Sequence, residues 1–251
     1  MSPRSTLEQL LDMETRFHAE RDIISDEQCI QFNVNGDLHC TPVGYLFGGF
    51  SAAKAALILL HQLKLHLAGI QGSIQFSYPR GVRAGEKITF LGTENEVLGC
   101  VDEQVAISAT AESLRSNSTG QTLLAQGLKL SEQFSGKSLK MLSENTLQYA
   151  PPSSGESDAA ILFHTICAAD AGTWILGQSA FPSCFFVTRA LKMDFHSEPA
   201  AAEQQLRLVN LTCGNSSLKV NASLWSENRH FAGLEAILVN IDPVTCVKRD
   251  F

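Results

Sequence analysis

The chain has 251 residues, of which 44% are hydrophobic and 18% charged, with a formal net charge of −7. That length suits one large domain or two of middling size, and the composition is that of a globular protein with a real apolar core. The negative balance excludes a general nucleic-acid binder, which needs a basic surplus to neutralise phosphates, though it leaves room for a local basic spot.

In chain order, residues 1–21 (MSPRSTLEQLLDMETRFHAER) have a helical period with charges throughout. A helix is expected there, and a signal peptide is not, because no apolar run follows a charged end. Residues 28–35 (QCIQFNVN) alternate like a strand, and a loop with Gly36, Asp37, Pro42 and Gly44 follows. Residues 47–67 (FGGFSAAKAALILLHQLKLHL) are dense in Ala and Leu and lack Pro, which predicts a helix buried nearly all round. Four strand-like segments come next, at 69–78, 86–97, 99–112 and 119–130, separated by turn-forming clusters such as RGVRAGE and RSNSTG. The order is one long helix and then an antiparallel meander.

Residues 131–157 break this pattern with Ser, Gly, Pro, Glu and Lys, and YAPPSSGESD reads as a linker. An apolar helix over 159–176 (AAILFHTICAADAGTWIL) then opens a second round, with strands expected near 184–196, 204–211, 217–225 and 230–241. SIQFSYP of the first half matches KMDFHSEP of the second, each with an aromatic (Phe76, Phe195) before a Pro. TGQTLLAQGLKL likewise matches ENRHFAGLEAILV. A coarse duplication at this scale outweighs any short motif. It divides the chain into 1–130, a helix plus a first module; 131–157, a linker; and 158–251, a second module. Pairing two such units would give a continuous sheet and hide its edges.

The longest apolar run noted, residues 55–60, is far short of the ~20 residues a membrane span needs. Seven scattered cysteines with no CxxC pair argue against a zinc ribbon or disulfide framework. They read as mostly buried, reduced thiols in a cytoplasmic protein.

A buried helix opened by Gly-Gly, a strand with an aromatic shortly before Pro and a glycine-bearing final strand resemble the hotdog thioesterase superfamily. The nearest types are the phenylacetate-degradation thioesterases and the double-hotdog acyl-CoA thioesterase II. The resemblance spans the chain apart from the N-terminal segment and the linker. It implies an α+β fold of two tandem hotdog modules, each a long central helix wrapped by an antiparallel sheet, paired as an intramolecular pseudo-dimer. In the phenylacetate type, an HGG element starts the helix, a catalytic Asp lies about two turns further on, and Thr or Ser sits on the next strand. The first half has Phe47-Gly48-Gly49 without the His, and Ala56 where the Asp would be. The second half has Asp170 and Thr188, but Leu162 and Phe163 where the glycines would be. Since hotdog dimers combine the helix start of one module with the Asp of the other, the resemblance implies one composite site from Gly48, Gly49, Asp170 and Thr188.

The chemistry follows from those residue types. Glycines at a helix start let a carbonyl approach free backbone N–H groups, which suits an oxyanion hole, although they also suit a plain tight turn. A carboxylate in an apolar helix is costly to bury without a partner. Asp170 is therefore a general base for water, less readily a nucleophile, with a charge at a solvent-facing helix end as the plain alternative. Thr188 would hold the water or orient Asp170, or simply favour its strand. Candidates for substrate binding are His39 before the Gly-Gly, His196 in DFHSEP, and Arg80 and Arg83, whose guanidinium forks match CoA phosphates. His164 is a further helix histidine. The thioesterase II type places a Gln on its last strand, where this chain has Ala236 beside Glu235.

No phosphate loop, GxSxG elbow or HExxH motif is present, and neither a metal nor a cofactor is expected. The expected function is hydrolysis of an acyl-CoA or acyl-carrier thioester to free acid and thiol, with homo-oligomers of double modules compatible with the family. A non-catalytic acyl-binding protein and a hotdog dehydratase or hydratase are the alternatives.

Overall fold

Long apolar helices need a sheet to cover them, and alternating strands need a core to face. The computed structural model shows how this chain answers both needs, and it describes residues 12–18, 23–26, 29–41, 44–117, 131–151, 157–182, 184–200 and 202–241. Its strands in chain order are β1 (Glu14–His18), β2 (Ile23–Asp26), β3 (Cys29–Asn33), β4 (Gln71–Ser77), β5 (Lys87–Gly92), β6 (Glu96–Val101) and β7 (Gln104–Arg115). They continue as β8 (Ser131–Ser135), β9 (Leu139–Ser143), β10 (Thr146–Tyr149), β11 (Phe186–Phe195), β12 (Gln204–Cys213), β13 (Ser217–Ser226) and β14 (Arg229–Asn240). The helices are the single-turn α1 (Gly36–His39), α2 (Gly48–Gln62) and α3 (Asp158–Ala180).

Among the described residues twelve strands form one antiparallel sheet in the order β2-β3-β5-β6-β7-β4-β11-β14-β13-β12-β10-β9, while β1 and β8 make a separate pair. The order on one side of the β4–β11 seam is mirrored on the other. At the seam Ile74 faces Met193, and the SIQFSYP and KMDFHSEP segments become direct neighbours. Strands such as β13 alternate strictly, with Leu218, Val220, Ala222 and Leu224 buried on one face, as a half-covered sheet requires.

The two long helices fill that face. Phe50 to Leu60 of α2 is buried throughout, and so are almost all residues of α3. By length and composition α3 alone among the described helices could cross a membrane, yet 94% of its apolar window lies inside the fold. It is the core helix of this sheet. Ser157 caps its start, the side chain accepting from the Ala160 N–H at 3.2 Å. The N-cap of α2 is Phe47, which supplies no side-chain hydrogen bond.

Several expectations are corrected. Residues 14–18, expected as helix, form β1 against β8, because pairing with a distant strand overrides a weak helical period; residues 1–11 lie outside the described ones. The linker expected over 131–157 contains three strands, and β10 joins the main sheet beside β12 with Leu147 and Tyr149 buried. Its Pro and Ser content masked a short alternating segment. The break expected at residue 98 falls inside β6, and the chain instead turns at Asp102 and Glu103, both left-handed with φ of 48° and 66°. The helix expected over 47–67 ends at Gln62. The strand expected at 119–130 lies outside the described residues. Cys29, Cys40, Cys100, Cys167 and Cys213 are free, but Cys184 is disulfide-bonded, unlike the reduced thiols expected.

Burial decides which side chains the sheet depends on. Phe76 at the seam is 0% exposed and Leu91 on the outer face is 48% exposed. Phe76→Ala is expected to cost about 3–5 kcal/mol in urea unfolding, and Leu91→Ala no more than about 0.5 kcal/mol. Equal losses would contradict the assignment of inner and outer faces.

Candidate active site

The site grows from the uncapped start of α2. Gly48 is the first residue of the helix, so its N–H has no acceptor within the helix. The Gly48 carbonyl accepts from Ser51 Oγ at 2.9 Å and from Tyr78 Oη at 3.3 Å, which ties the first turn to the end of β4. The Phe47 N–H donates to the His39 carbonyl at 2.9 Å and fixes the loop that enters the helix.

This turn lies against the middle of α3. A Cβ on Gly49 would come within 2.8 Å of the Cys167 backbone, so only glycine permits that approach. A Cβ on Gly48 would stand 2.8 Å from Asp170 Oδ2. The approach brings the Gly49 N–H to Asp170 Oδ2 at 2.7 Å, and Thr188 Oγ1 of β11 donates to Oδ1 at 2.8 Å. The Asp170 carboxyl is buried, 2% exposed. Burial pushes its pKa from 3.8 up to about 6, opposed by the hydrogen bonds from Thr188 and Gly49. Burial, reinforced by the nearby Asp170, also pushes the Tyr78 phenol and the Cys167 thiol well above their usual ranges.

Gly48, Asp170 and Thr188 line a cavity of about 570 Å³, and Ser51, Tyr78, Tyr45 and Trp174 are among the other residues of its wall. Leu46, Val82, Ile88, Ile107, Val187 and Val239 make the rest largely apolar. Such a space can hold an acyl chain, with a carboxyl of intermediate pKa at one side.

Gly48, Gly49, Asp170 and Thr188 thus meet at one point, but the two glycines are not equivalent. The expectation that both N–H groups face a substrate carbonyl is corrected, because the Gly49 N–H is held by Asp170. Arg80 lines the cavity and is paired with Glu86. Arg83 is outside the wall, its guanidinium over the Tyr45 ring. His39 is buried in the core, stacked on Phe50 at 4.9 Å with Nδ1 accepting from the Asn35 N–H. It lies away from the cavity wall, since a short helix turns its ring inward and only its carbonyl reaches the site's frame. His196 is exposed at the far end of β11 beside His230. His164 bonds the Tyr149 hydroxyl at 2.6 Å in the core. Ala236 is buried on β14 opposite Leu191, and Glu235 pairs with Lys219.

Tyr78, Trp174 and Arg189 were not anticipated. Arg189 lines the cavity and donates to the Tyr78 and Pro79 carbonyls. Its signal was adjacency to Thr188, and Trp174 lies one helical turn from Asp170; Tyr78 comes from the other side of the seam, which no local pattern reveals. Among the described residues no cluster of three or more His, Cys, Asp or Glu could hold a metal ion.

No protein-family model matches the sequence, and no curated protein matches it significantly. Solved structures do. The chain is similar to the tesB protein of Mycobacterium avium subsp. paratuberculosis, with a TM-score of 0.61 at 9% identity over 94% of this chain and all of that one. A hot dog fold protein from Alicyclobacillus acidocaldarius gives 0.56 at 12% identity over 90% and 97% of the two chains. The dehydratase domain of RzxB from Pseudomonas fluorescens gives 0.57 at 12% identity over 89% and 97%. The chain therefore has the α+β hotdog fold, a fold that carries more than one activity.

The buried carboxyl makes stability depend on pH. Below 3.8 Asp170 is protonated whether the chain is folded or not; between 3.8 and about 6 the unfolded chain ionises first, so stability falls; above about 6 the penalty is constant. Asp170→Asn keeps a neutral acceptor for Gly49 and is expected to gain on the wild type by about 3 kcal/mol as pH rises across that window. Thermal melts of both proteins at about pH 4 and about pH 8 measure it. A constant difference would mean the carboxyl is not shifted.

Proposed function

We propose that the protein hydrolyses acyl thioesters, acyl-CoA or acyl-carrier, to the free acid and thiol. The observation that carries this reading is the Asp170 carboxylate, held by the Gly49 N–H and Thr188 hydroxyl at the wall of an acyl-sized apolar cavity. The similarity in fold to the tesB protein is consistent with it.

In this mechanism the acyl chain occupies the apolar part of the cavity and the thioester oxygen points to the Gly48 N–H. The helix dipole of α2 reinforces that donor as negative charge develops. Asp170 takes a proton from a water placed by Thr188, and the water oxygen bonds to the thioester carbon. The tetrahedral intermediate then collapses, the carbon–sulfur bond breaks, and Asp170 returns its proton to the leaving thiolate. A carboxyl with a pKa of about 6 suits both transfers, being ionised at neutral pH yet a better base than an ordinary aspartate. Arg80 and Arg189, which line the cavity, would meet CoA phosphates, and Arg83, stacked on Tyr45, would act from further out.

We also read the chain as two hotdog modules fused into a pseudo-dimer. The mirrored strand order about the β4–β11 seam supports this, as does the register in which Phe76 and Phe195 each lie two residues beyond the Ile74–Met193 pair. In this reading β9 and β10 are the counterparts of β2 and β3, so the second module starts near 139 rather than 158. The counterpart site would fall on Leu162, Phe163, Ala56 and Gly69 (seven before Phe76, as Thr188 is before Phe195), and none of these can serve as acid, base or hydroxyl. A non-catalytic acyl-binding role is the second reading, favoured by the buried Ala236 where a thioesterase II has its glutamine.

Release of free thiol from a panel of acyl-CoAs separates the two. Wild type is expected to turn over, Asp170→Ala to lose about 10²–10⁴-fold in kcat, and Thr188→Val to lose on the order of tenfold. The kcat/KM of wild type should fall as pH drops through about 6, the pKa of the base. Absence of turnover, or an Asp170→Ala enzyme at full rate, would defeat the catalytic reading.

A further inference from the structure

We propose that the Tyr78 hydroxyl is a catalytic donor of this site, giving the thioester oxygen a second hydrogen bond beside that of the Gly48 N–H. This inference rests on the acyl-thioester reading and adds to it a residue that the mechanism above does not use. The thioester oxygen gains charge in the tetrahedral intermediate, and sites that stabilise such an oxygen commonly present more than one donor. Here the Gly49 N–H is held by Asp170 Oδ2 at 2.7 Å. Of the two glycine N–H groups, one is left.

The other polar side chains of the cavity wall are engaged elsewhere. Thr188 Oγ1 donates to Asp170 at 2.8 Å, Ser51 Oγ to the Gly48 carbonyl at 2.9 Å, and Thr41 Oγ1 to the Tyr45 carbonyl at 3.1 Å. The Tyr45 hydroxyl meets Arg83, Arg80 is paired with Glu86, and Arg189 donates to the Tyr78 and Pro79 carbonyls. Tyr78 differs from all of these. Its Oη reaches the Gly48 carbonyl at 3.3 Å, long against the about 2.7–2.8 Å usual between two oxygens. That carbonyl already accepts from Ser51 and, being helical, from the N–H four residues on, which occupies its two lone pairs. The Tyr78 proton can turn to a better acceptor without leaving the carbonyl unsatisfied.

The hydroxyl is also well placed. Tyr78 and Gly48 both line the cavity, and the contact between them sets Oη at the helix turn that carries the Gly48 N–H. The Tyr78 backbone is fixed on both sides, its N–H donating to the Arg189 carbonyl at 2.9 Å and its own carbonyl accepting from the Arg189 guanidinium at 2.7 Å. Thr188, next to Arg189, holds Asp170, so donor and base are aimed from neighbouring strands. Burial, reinforced by the Asp170 charge, keeps the phenol protonated at neutral pH, as a donor must be. A fixed donor to an oxygen that becomes an anion binds most strongly in the transition state, and so it lowers the barrier.

The test pairs hydrolysis of octanoyl-CoA with calorimetric binding of two stable analogues, on wild type and on Tyr78→Phe. One analogue is 2-oxononyl-CoA, a ketone with no bond from its carbonyl carbon to sulfur; the other is nonyl-CoA, the thioether without the oxygen. Tyr78→Phe is expected to lose about 10²-fold in kcat with KM within about threefold of wild type. Wild type should bind the ketone roughly tenfold more tightly than the thioether, and Tyr78→Phe should lose most of that preference while binding the thioether as before. Ser51→Ala, which removes the other hydroxyl from the Gly48 carbonyl, should keep the preference. No ketone preference in wild type overturns the inference. So does a Tyr78→Phe protein that keeps the preference or, where wild type turns over, the rate. An equal loss for both analogues, or the same loss in Ser51→Ala, also overturns it, because Tyr78 would then only brace the helix turn. A Tyr78-dependent preference in a protein that hydrolyses nothing sustains the donor and defeats the hydrolytic reading alone. Should Tyr78→Phe not fold, 3-fluorotyrosine at position 78 keeps both shape and hydroxyl. Its fluorine signal is expected to move with the ketone and not with the thioether, and equal responses overturn the inference.

Discussion

The hydrogen bond from the Gly49 N–H to Asp170 is the contact on which the rest of this structure turns. It joins the first turn of α2 to the middle of α3, two helices otherwise packed through apolar side chains. Burying a carboxylate among Ala, Cys and Ile is unfavourable unless donors replace the lost water. Gly49 and Thr188 provide two, and they hold the pKa near 6 instead of letting burial carry it further. The same contact requires a residue with no side chain, because a Cβ on Gly49 would strike the Cys167 backbone. Packing and electrostatics impose a single solution here.

The sheet supplies the third member. Thr188 lies on β11, the strand that pairs with β4 at the seam, and Tyr78 at the end of β4 reaches back to the Gly48 carbonyl. Helix start, helix middle and seam therefore converge from parts of the chain separated by more than a hundred residues. The proposed mechanism uses that convergence, dividing the work between an N–H that nothing within its helix engages and a carboxylate that its neighbour holds. A fused chain needs only one such convergence, and the proposed pseudo-dimer would leave the other side free to fill with Leu162 and Phe163.

Much of this was legible from residue patterns. The apolar density of 47–67 and 159–176 announced two buried helices, and the alternation of 184–241 announced the strands β11 to β14. Asp170 stood out because a lone carboxylate in an apolar helix needs a partner. The failures have physical reasons as well. Residues 14–18 carry a helical period, but the β8 strand gave their backbone a better set of partners. Residues 139–149 looked like a linker because four-to-five-residue strands bear too few side chains to display a period. The Asp102–Glu103 turn was missed because its left-handed residues are not the usual glycine or asparagine.

What the sequence determined by itself, then, was the inventory: two core helices, a run of antiparallel strands, and the residue types able to do acyl chemistry. What only the tertiary structure decided was how the donors are shared. Sequence could place Gly48 and Gly49 side by side, but not show that the Gly49 N–H is held by Asp170 while Gly48 lines the cavity. Nor could it show that His39 turns into the core or that the Tyr78 hydroxyl reaches the Gly48 carbonyl. Hydrogen-bond partnership depends on distances between residues far apart in the chain, and those distances exist only once the helices and the seam have packed.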